Sequence, residues 1–90
     1  MTFDDFVTVS QGMSLQMAAI DQHVGGRLRK LRRNSDMSVD RLAAEIKQPA
    51  PRVLDYEQGA TRISSETLVR LCRVFNVNPS YFFNEFGAGE

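Results

Sequence analysis

The apolar residues in the central part of this 90-residue chain recur every three or four positions, which is the spacing of one face of an α-helix. No stretch alternates between apolar and polar residues with the period of two that a half-buried strand requires. The sequence therefore predicts an all-α domain of five short helices. Their expected positions are 24–33, 38–46, 50–57, 65–75 and 79–83.

Residues that start and stop helices lie at the ends of these segments. Ser38 is a suitable N-cap for the second helix, and Asp40 lies in its first turn, where the helix dipole favours an anion. Gly59 is a typical stop for the third helix, and Asn78-Pro79 places a capping residue before a proline suited to the first helical position. Because helices of about 8–12 residues are marginal alone, we expect them to pack into one compact cluster.

The charge of the chain is unevenly distributed. The 11 basic and 11 acidic residues give a formal net charge of zero, which taken alone argues against nucleic acid as a partner. All 11 Lys and Arg, however, lie in residues 21–80 beside seven acidic residues, a net charge of +4, and each end of the chain contributes −2. Five of the basic residues lie in 27–33, either as part of a nucleic-acid surface or as a solvated helix face.

The sequence excludes several classes of protein and site. The chain has one cysteine, Cys72, and one histidine, His23. We therefore expect neither an internal disulfide nor a tetrahedral zinc site within the chain. There is no apolar run of the ~18 residues that a membrane span needs, and no signal peptide is expected. The chain also lacks a nucleophile–base pair, a glycine-rich phosphate loop and a metal-ligand set. We therefore expect a cytoplasmic protein that is not an enzyme, with no cofactor, metal, membrane or small-molecule partner, and with Cys72 buried.

The two ends of the chain leave alternatives open. Residues 1–20 carry apolar residues at helical spacing, which indicates an additional amphipathic helix, with a disordered arm as the alternative. Gly25-Gly26 is expected to interrupt this stripe. We place the domain at 21–83 and a tail at 84–90. Three aromatic residues exceed what one short helix needs for its own core, so we expect them to divide between the core and a contact with a second chain. They are Phe82, Phe83 and Phe86.

Four pieces of the sequence, in one order and without insertions, carry a family resemblance. They are VGGRLRKLRR (24–33), MSVDRLAAEI (37–46), VLDYEQGATRIS (53–64) and LVRLCRVFNVNPSYFF (68–83). Together they resemble the Cro/repressor-type (XRE-like) helix-turn-helix domains over about two thirds of the chain. The resemblance implies a compact, five-helix, lambda-repressor-like fold in which the second and third helices form the helix-turn-helix.

The resemblance also implies a function. It implies a transcriptional regulator that binds double-stranded DNA, as a homodimer, with its third helix in the major groove. The planar guanidinium of Arg52 is able to donate two hydrogen bonds to guanine O6 and N7. Ala50 suits contact with a thymine methyl group, and Asp55 is able to accept a hydrogen bond from cytosine N4. Arg52 is open to a second interpretation, a surface residue paired with Asp55 at the i,i+3 spacing. The candidates for phosphate contact are Lys47, Gln48, Thr61, Arg62 and Arg27.

One ion pair and two departures complete the comparison with the family. The family often pairs the arginine at the position of Arg32 with the glutamate at the position of Glu57, so we expect an ion pair that orients the recognition helix. Lys47 stands where the family commonly has glycine, and Ala50-Pro51 replaces polar residues that read DNA. Ala50-Pro51 and Asp55, together with the aromatic end of the chain, motivate the alternative function, a helix-turn-helix fold that acts mainly as a protein–protein interaction module with weak or lost sequence-specific DNA binding.

Overall fold

The computed structural model describes the backbone of residues 3–84 and the side chains of residues 18–84. Within this stretch the elements are α1 (Phe3–Asn34), α2 (Val39–Ile46), α3 (Ala50–Gln58), α4 (Ser65–Phe75) and a short 3-10 helix, η1 (Pro79–Phe82), without a strand. The predicted all-α class is confirmed. None of the helices in these residues has both the length and the apolar character needed to cross a membrane.

The predicted fifth α-helix is wrong, because the segment is a single 3-10 turn. The N–H groups of Tyr81 and Phe83 donate to carbonyl oxygens three residues back, each at 3.0 Å. A segment of four residues gains too few hydrogen bonds to offset the cost of nucleating an α-helix. The side chain of Phe82 is fully buried, so packing on the domain holds the turn in place. The expected start at Asn78-Pro79 is confirmed.

The expected interruption at Gly25-Gly26 is also wrong, because α1 runs without a break from Phe3 to Asn34. Each glycine lowers the stability of a helix by only about 1 kcal/mol, which packing is able to offset. A Cβ atom on Gly25 would lie 2.1 Å from the carbonyl oxygen of Tyr56 in α3. Gly25 therefore allows α1 and the C-terminal end of α3 to approach at a distance that no other residue permits.

The hydrophobic core lies where α1 meets the three shorter helices and η1. Leu42, Ala43 and Ile46 of α2 and Val53 and Tyr56 of α3 are buried. Cys72 is buried as well, as predicted. Burial raises the pKa of the Cys72 thiol, so the thiol is protonated at neutral pH. The buried core consists of Val24, Leu28, Leu42, Ala43, Ile46, Val53, Tyr56, Leu71, Cys72 and Phe82.

Hydrogen bonds stabilise both ends of α2. The Ser38 hydroxyl accepts a hydrogen bond from the N–H of Arg41 at 3.0 Å, which confirms the predicted cap of α2. At the other end of α2, Lys47 has a left-handed backbone with φ of 58°, a conformation that costs a non-glycine residue about 1–2 kcal/mol. Arg70 of α4 donates to the carbonyl oxygen of Ile46 at 3.2 Å, where the helix dipole favours a cation.

Candidate nucleic-acid interface

The helix α3 is anchored by one face and open to solvent on another. Val53, Tyr56 and Glu57 are buried, and α3 packs on both α1 and α2. With 3.6 residues per turn, these three positions share one side of the helix. Pro51 and Arg52 are exposed at its N-terminal end. The predicted recognition helix therefore has a fixed inner face and an accessible outer face.

Arg32 and Glu57 form the expected ion pair between α1 and α3. Nε of Arg32 donates to Oε2 of Glu57 at 2.6 Å, and a terminal nitrogen donates to Oε1 at 3.0 Å. The other terminal nitrogen donates to the carbonyl oxygen of Met37 at 3.0 Å. The hydrogen bond that the Arg32 guanidinium donates to Glu57 raises the pKa of Arg32 above its ordinary value, against the opposing effect of burial. The two parallel hydrogen bonds fix the direction of the contact as well as its distance.

The three base-reading candidates lie in the first two turns of α3. Ala50 and Asp55 are half-buried, and Arg52 is exposed. Arg52 forms no ion pair with any other residue whose side chain the structure describes. The structure thus has no ion pair between Arg52 and Asp55, the contact on which the second interpretation of Arg52 depends. An exposed i,i+3 pair gains only ~0.2–0.5 kcal/mol, too little to fix two long side chains that water also solvates.

Four of the phosphate-contact candidates flank the two ends of α3. Lys47 and Gln48 lie in the turn before it, and Thr61 and Arg62 follow it. Nε of Arg62 donates to Oδ1 of Asp21 in α1 at 3.1 Å, and the Arg62 side chain is 53% exposed. The sequence reasoning missed Asp21, because it lies 41 positions from Arg62 and no local spacing connects them.

Arg27, the fifth candidate, contacts η1. Its Nε donates to the carbonyl oxygen of Tyr81 at 3.1 Å, and its guanidinium carbon lies 4.5 Å from the centre of the Tyr81 ring, within the range of a cation–π contact. One turn earlier, Nε2 of His23 lies 2.7 Å from the carbonyl oxygen of Asn84. These contacts fasten η1 to α1.

The three C-terminal aromatic residues have different surroundings. Phe82 is fully buried in the core, and its ring meets that of Tyr81 edge-on at 5.6 Å between centres. Phe83 is 48% exposed. Phe86 lies outside the described residues. Of the two that the structure describes, one belongs to the core and the other presents apolar surface to solvent.

Comparison with known protein families and sequences agrees with this geometry. A family model described as Helix-turn-helix matches residues 28–82. An uncharacterized HTH-type transcriptional regulator of Sinorhizobium fredii, y4wC, is 36% identical over 67 residues, which are 74% of this chain and 47% of that protein. An uncharacterized transcriptional regulator in the ATPase CF(0) region of Rhodospirillum rubrum is 31% identical over 71 residues, which are 79% of this chain and 66% of that protein. The chain thus spans about half the length of y4wC.

Comparison with solved structures finds the same arrangement of helices. The chain is similar to the restriction-modification controller protein C.AhdI from Aeromonas hydrophila, with a TM-score of 0.65 and 26% sequence identity. The similarity covers 69% of this chain and 94% of that one. Nearly the whole of the solved chain therefore corresponds to part of this one.

Proposed function

Because this chain belongs to the XRE-type helix-turn-helix family, we propose that it is a transcriptional regulator that binds duplex DNA with α3 in the major groove. The observation that carries the proposal is the way in which α3 is held. Its inner face is buried and tied to α1 through Arg32 and Glu57, while Arg52 extends from the exposed N-terminal end. A side chain contacts base edges reproducibly only when the helix that carries it is held rigidly.

The side chains of α3 favour a short list of base contacts. Arg52 is suited to guanine, and a bidentate contact of this kind discriminates against a wrong base by ~1–3 kcal/mol. Ala50 adds a methyl contact to thymine, and Asp55 an acceptor for cytosine N4. The side chains of Ala50 and Pro51 cannot form hydrogen bonds. Arg52 is therefore the main reader of sequence.

The residues around α3 supply the contacts that position it. We expect Lys47 and Gln48 before the helix, and Thr61 and Arg62 after it, to contact the phosphates on either side of the groove. Such contacts set the orientation of the protein without reading sequence.

A homodimer is the assembly that suits this function. Two copies related by a two-fold axis would bind a palindromic site with half-sites about one helical turn, ~34–36 Å, apart. Residues 21–83 form the DNA-binding unit of each copy, residues 1–20 an extension and residues 84–90 a tail. The protein acts where its DNA is, in the cytoplasm.

A gel-shift competition tests the proposal. Labelled fragments of the host genome are incubated with the protein at two salt concentrations, with bulk DNA as the competitor. At the higher salt at least one fragment is expected to remain bound, because specific contacts survive the screening that weakens phosphate contacts. If no fragment outcompetes bulk DNA, the proposed sequence-specific regulator is refuted.

Two single substitutions separate base reading from phosphate contact in the selected fragment. Arg52→Ala is expected to relax the preference at one base pair, with a loss of ~1–3 kcal/mol for the preferred sequence. Arg62→Ala is expected to weaken binding to all sequences alike and to reduce the salt dependence by about one phosphate contact. Equal effects of the two changes on preferred and bulk DNA would contradict the role given to Arg52.

A second function, the protein-interaction module, is favoured by one feature of α3. Leu54 is 45% exposed and lines a groove of about 170 Å³ between α1 and α3, beside Arg29 and Gln58. An exposed leucine beside a cation suits a protein partner better than a phosphate backbone. Under this function Leu54→Asp abolishes stoichiometric co-purification of a partner from the native host, Arg52→Ala does not, and no DNA fragment is preferred.

A further inference from the structure

The carbonyl oxygen of Ile46, the last residue of α2, accepts a hydrogen bond from a side chain of α4. Nη1 of Arg70 donates to it at 3.2 Å. The last four carbonyl groups of an α-helix have no partner within the helix, so this oxygen needs a donor from another part of the molecule. Arg70 supplies that donor from a position 24 residues further along the chain.

The peptide that joins Ile46 to Lys47 is therefore held at both of its polar atoms. Its oxygen accepts from Arg70, and its N–H group donates to the carbonyl oxygens of Ala43 and Ala44. Because a peptide unit is planar and rigid, contacts at both atoms fix its orientation. The direction in which the Lys47 side chain leaves the backbone is fixed with it.

Lys47 has a backbone conformation that is unfavourable for its residue type. In residues 3–84 the non-glycine residues with positive φ are Asp36, Lys47 and Asn76. Aspartate and asparagine adopt the left-handed conformation more readily, because their short polar side chains hydrogen-bond locally. Lysine lacks this compensation, and glycine would remove the strain but would carry no charge. A strained residue of this kind persists only where its surroundings hold it, and such residues cluster at functional sites.

The helix that carries Arg70 is itself fixed in the domain. The hydroxyl of Ser64 accepts a hydrogen bond from the N–H of Thr67 at 3.2 Å and caps α4. Thr67 and Leu71, on either side of Arg70 in the sequence, are buried. Nη2 of Arg70 also donates to Oε1 of Glu66 at 2.7 Å. Because the guanidinium is planar and has two partners, these contacts define the orientation of the Arg70 side chain.

We propose that Arg70 is a positioning residue of the DNA-binding surface, which holds the Ile46–Lys47 peptide so that the Lys47 side chain is directed at a phosphate. The inference rests on the proposed function, in which Lys47 contacts the DNA backbone. Lys47 is exposed, and its charge lies at the end of a flexible side chain. A fixed backbone reduces the conformational freedom that the turn loses on binding. Arg70 acts through Lys47 and not by its own contact with DNA.

Arg70→Met and Arg73→Met form a matched pair for testing this role. Methionine keeps a long apolar side chain and removes the charge and the hydrogen-bond donors of arginine. Arg73 is exposed, lies three residues further along α4, and forms no ion pair with any side chain in residues 18–84. Both changes remove one positive charge from the same helix, and Arg70→Met also removes the contact with Ile46.

Amide hydrogen exchange in the absence of DNA tests whether Arg70 holds the turn. Arg70→Met is expected to accelerate exchange of the Lys47 and Gln48 amides about tenfold, the fold-change that corresponds to loss of a hydrogen bond from a charged donor. The amide of Leu71 is the internal reference, because general destabilisation of the domain would accelerate its exchange equally. Arg73→Met is expected to leave these rates unchanged. Unchanged exchange at Lys47 and Gln48 in R70M, or equal acceleration at Leu71, would overturn the proposal.

Affinity for bulk duplex DNA tests whether Arg70 acts through Lys47. In fluorescence anisotropy over a salt series, Arg70→Met is expected to weaken binding about threefold to tenfold more than Arg73→Met does. It is also expected to reduce the salt dependence by up to about one phosphate contact. In a Lys47→Met background the two changes are expected to have equal effects, because the contact that Arg70 positions is already absent. An excess effect of Arg70→Met that persists in this background would overturn the proposal.

The two measurements separate this inference from the function on which it rests. A wild-type protein that binds no duplex DNA would refute the proposed function. A wild-type protein that binds DNA, combined with equal effects of R70M and R73M on its affinity, would refute the role of Arg70 alone.

Discussion

Two arginine–glutamate pairs in this molecule have similar distances but different surroundings. Arg32 and Glu57 have side chains that are 14% and 4% exposed, at 2.6 Å. Glu66, which pairs with Arg70 at 2.7 Å, is 76% exposed. Water solvates the second pair with or without the contact, so its contribution to stability is small. The first pair is largely shielded from water, so removal of one partner would leave the charge of the other poorly compensated.

The first prediction follows from this contrast. Glu57→Gln is expected to lower the free energy of unfolding by about 3 kcal/mol, because the Arg32 charge loses its carboxylate partner in a buried position. Glu66→Gln, the same change in the exposed pair, is expected to cost less than ~0.5 kcal/mol. Urea denaturation of the two variants measures the difference. Equal losses would show that burial does not set the contribution of the Arg32–Glu57 pair.

The second prediction concerns Asp21, whose carboxylate accepts a hydrogen bond from the Arg62 guanidinium and forms an ion pair with it. Asp21→Asn is expected to tighten binding to bulk duplex DNA and to steepen its salt dependence by up to about one phosphate contact. The reason is that the Arg62 charge, no longer paired with a carboxylate, becomes available to a phosphate. Fluorescence anisotropy over a salt series measures the slope. In an Arg62→Ala background the same change is expected to have a much smaller effect. An equal effect in both backgrounds would mean that Asp21 acts by general repulsion and not through Arg62.

At the scale of helices, α1 and α3 are in contact through their backbones as well as their side chains. A Cβ atom on Gly25 would meet the carbonyl oxygen of Glu57 at 2.8 Å in addition to that of Tyr56. From the other side, Gly59, with φ of 74°, lies against the backbone of Gln22. This backbone contact joins the same two helices as the Arg32–Glu57 pair. It therefore sets the distance between α1 and α3.

The third prediction uses the two adjacent glycines of α1. Gly25→Ala is expected to destabilise the domain by about 3 kcal/mol or more, because the added methyl group forces α1 away from backbone atoms that cannot rotate aside. A Cβ atom on Gly26 has no neighbour within 4 Å, so Gly26→Ala is expected to stabilise the helix by ~0.5–1 kcal/mol. Thermal and urea denaturation measure both. The same sign for the two changes would contradict the close packing at Gly25.

These elements also show what the sequence was able to predict. The cap at Ser38, the stop at Gly59 and the start at Asn78-Pro79 depend on a few neighbouring residues, and all three are confirmed. The continuity of α1 through Gly25 was missed, because local propensity predicts a break and only the approach of α3 explains the glycine. The Asp21–Arg62 contact was missed for a related reason, since it joins residues that only the tertiary fold brings together.

At the scale of the whole molecule, the neutral net charge combines unlike parts. Residues 21–80 carry a net charge of +4, and α3, with Arg52 at its exposed end, lies between the turn that holds Lys47 and the loop that holds Arg62. Two of the acidic residues counted in this sum, Glu57 and Asp21, pair with Arg32 and Arg62 inside the domain. Because a net charge of +4 is modest, we expect weak binding to bulk DNA, and we expect the contacts of α3 to contribute a larger share of the binding free energy.

The central claim, that α3 and the segments on either side of it form the DNA-binding surface, is tested most directly by NMR. Backbone ¹H–¹⁵N signals of the full chain are followed during titration with a short DNA duplex. The largest shifts are expected at Lys47, Gln48, Ala50, Arg52 and Arg62, with little change in α4 and η1. Shifts concentrated in α4 and η1, with the α3 signals unmoved, would contradict the claim.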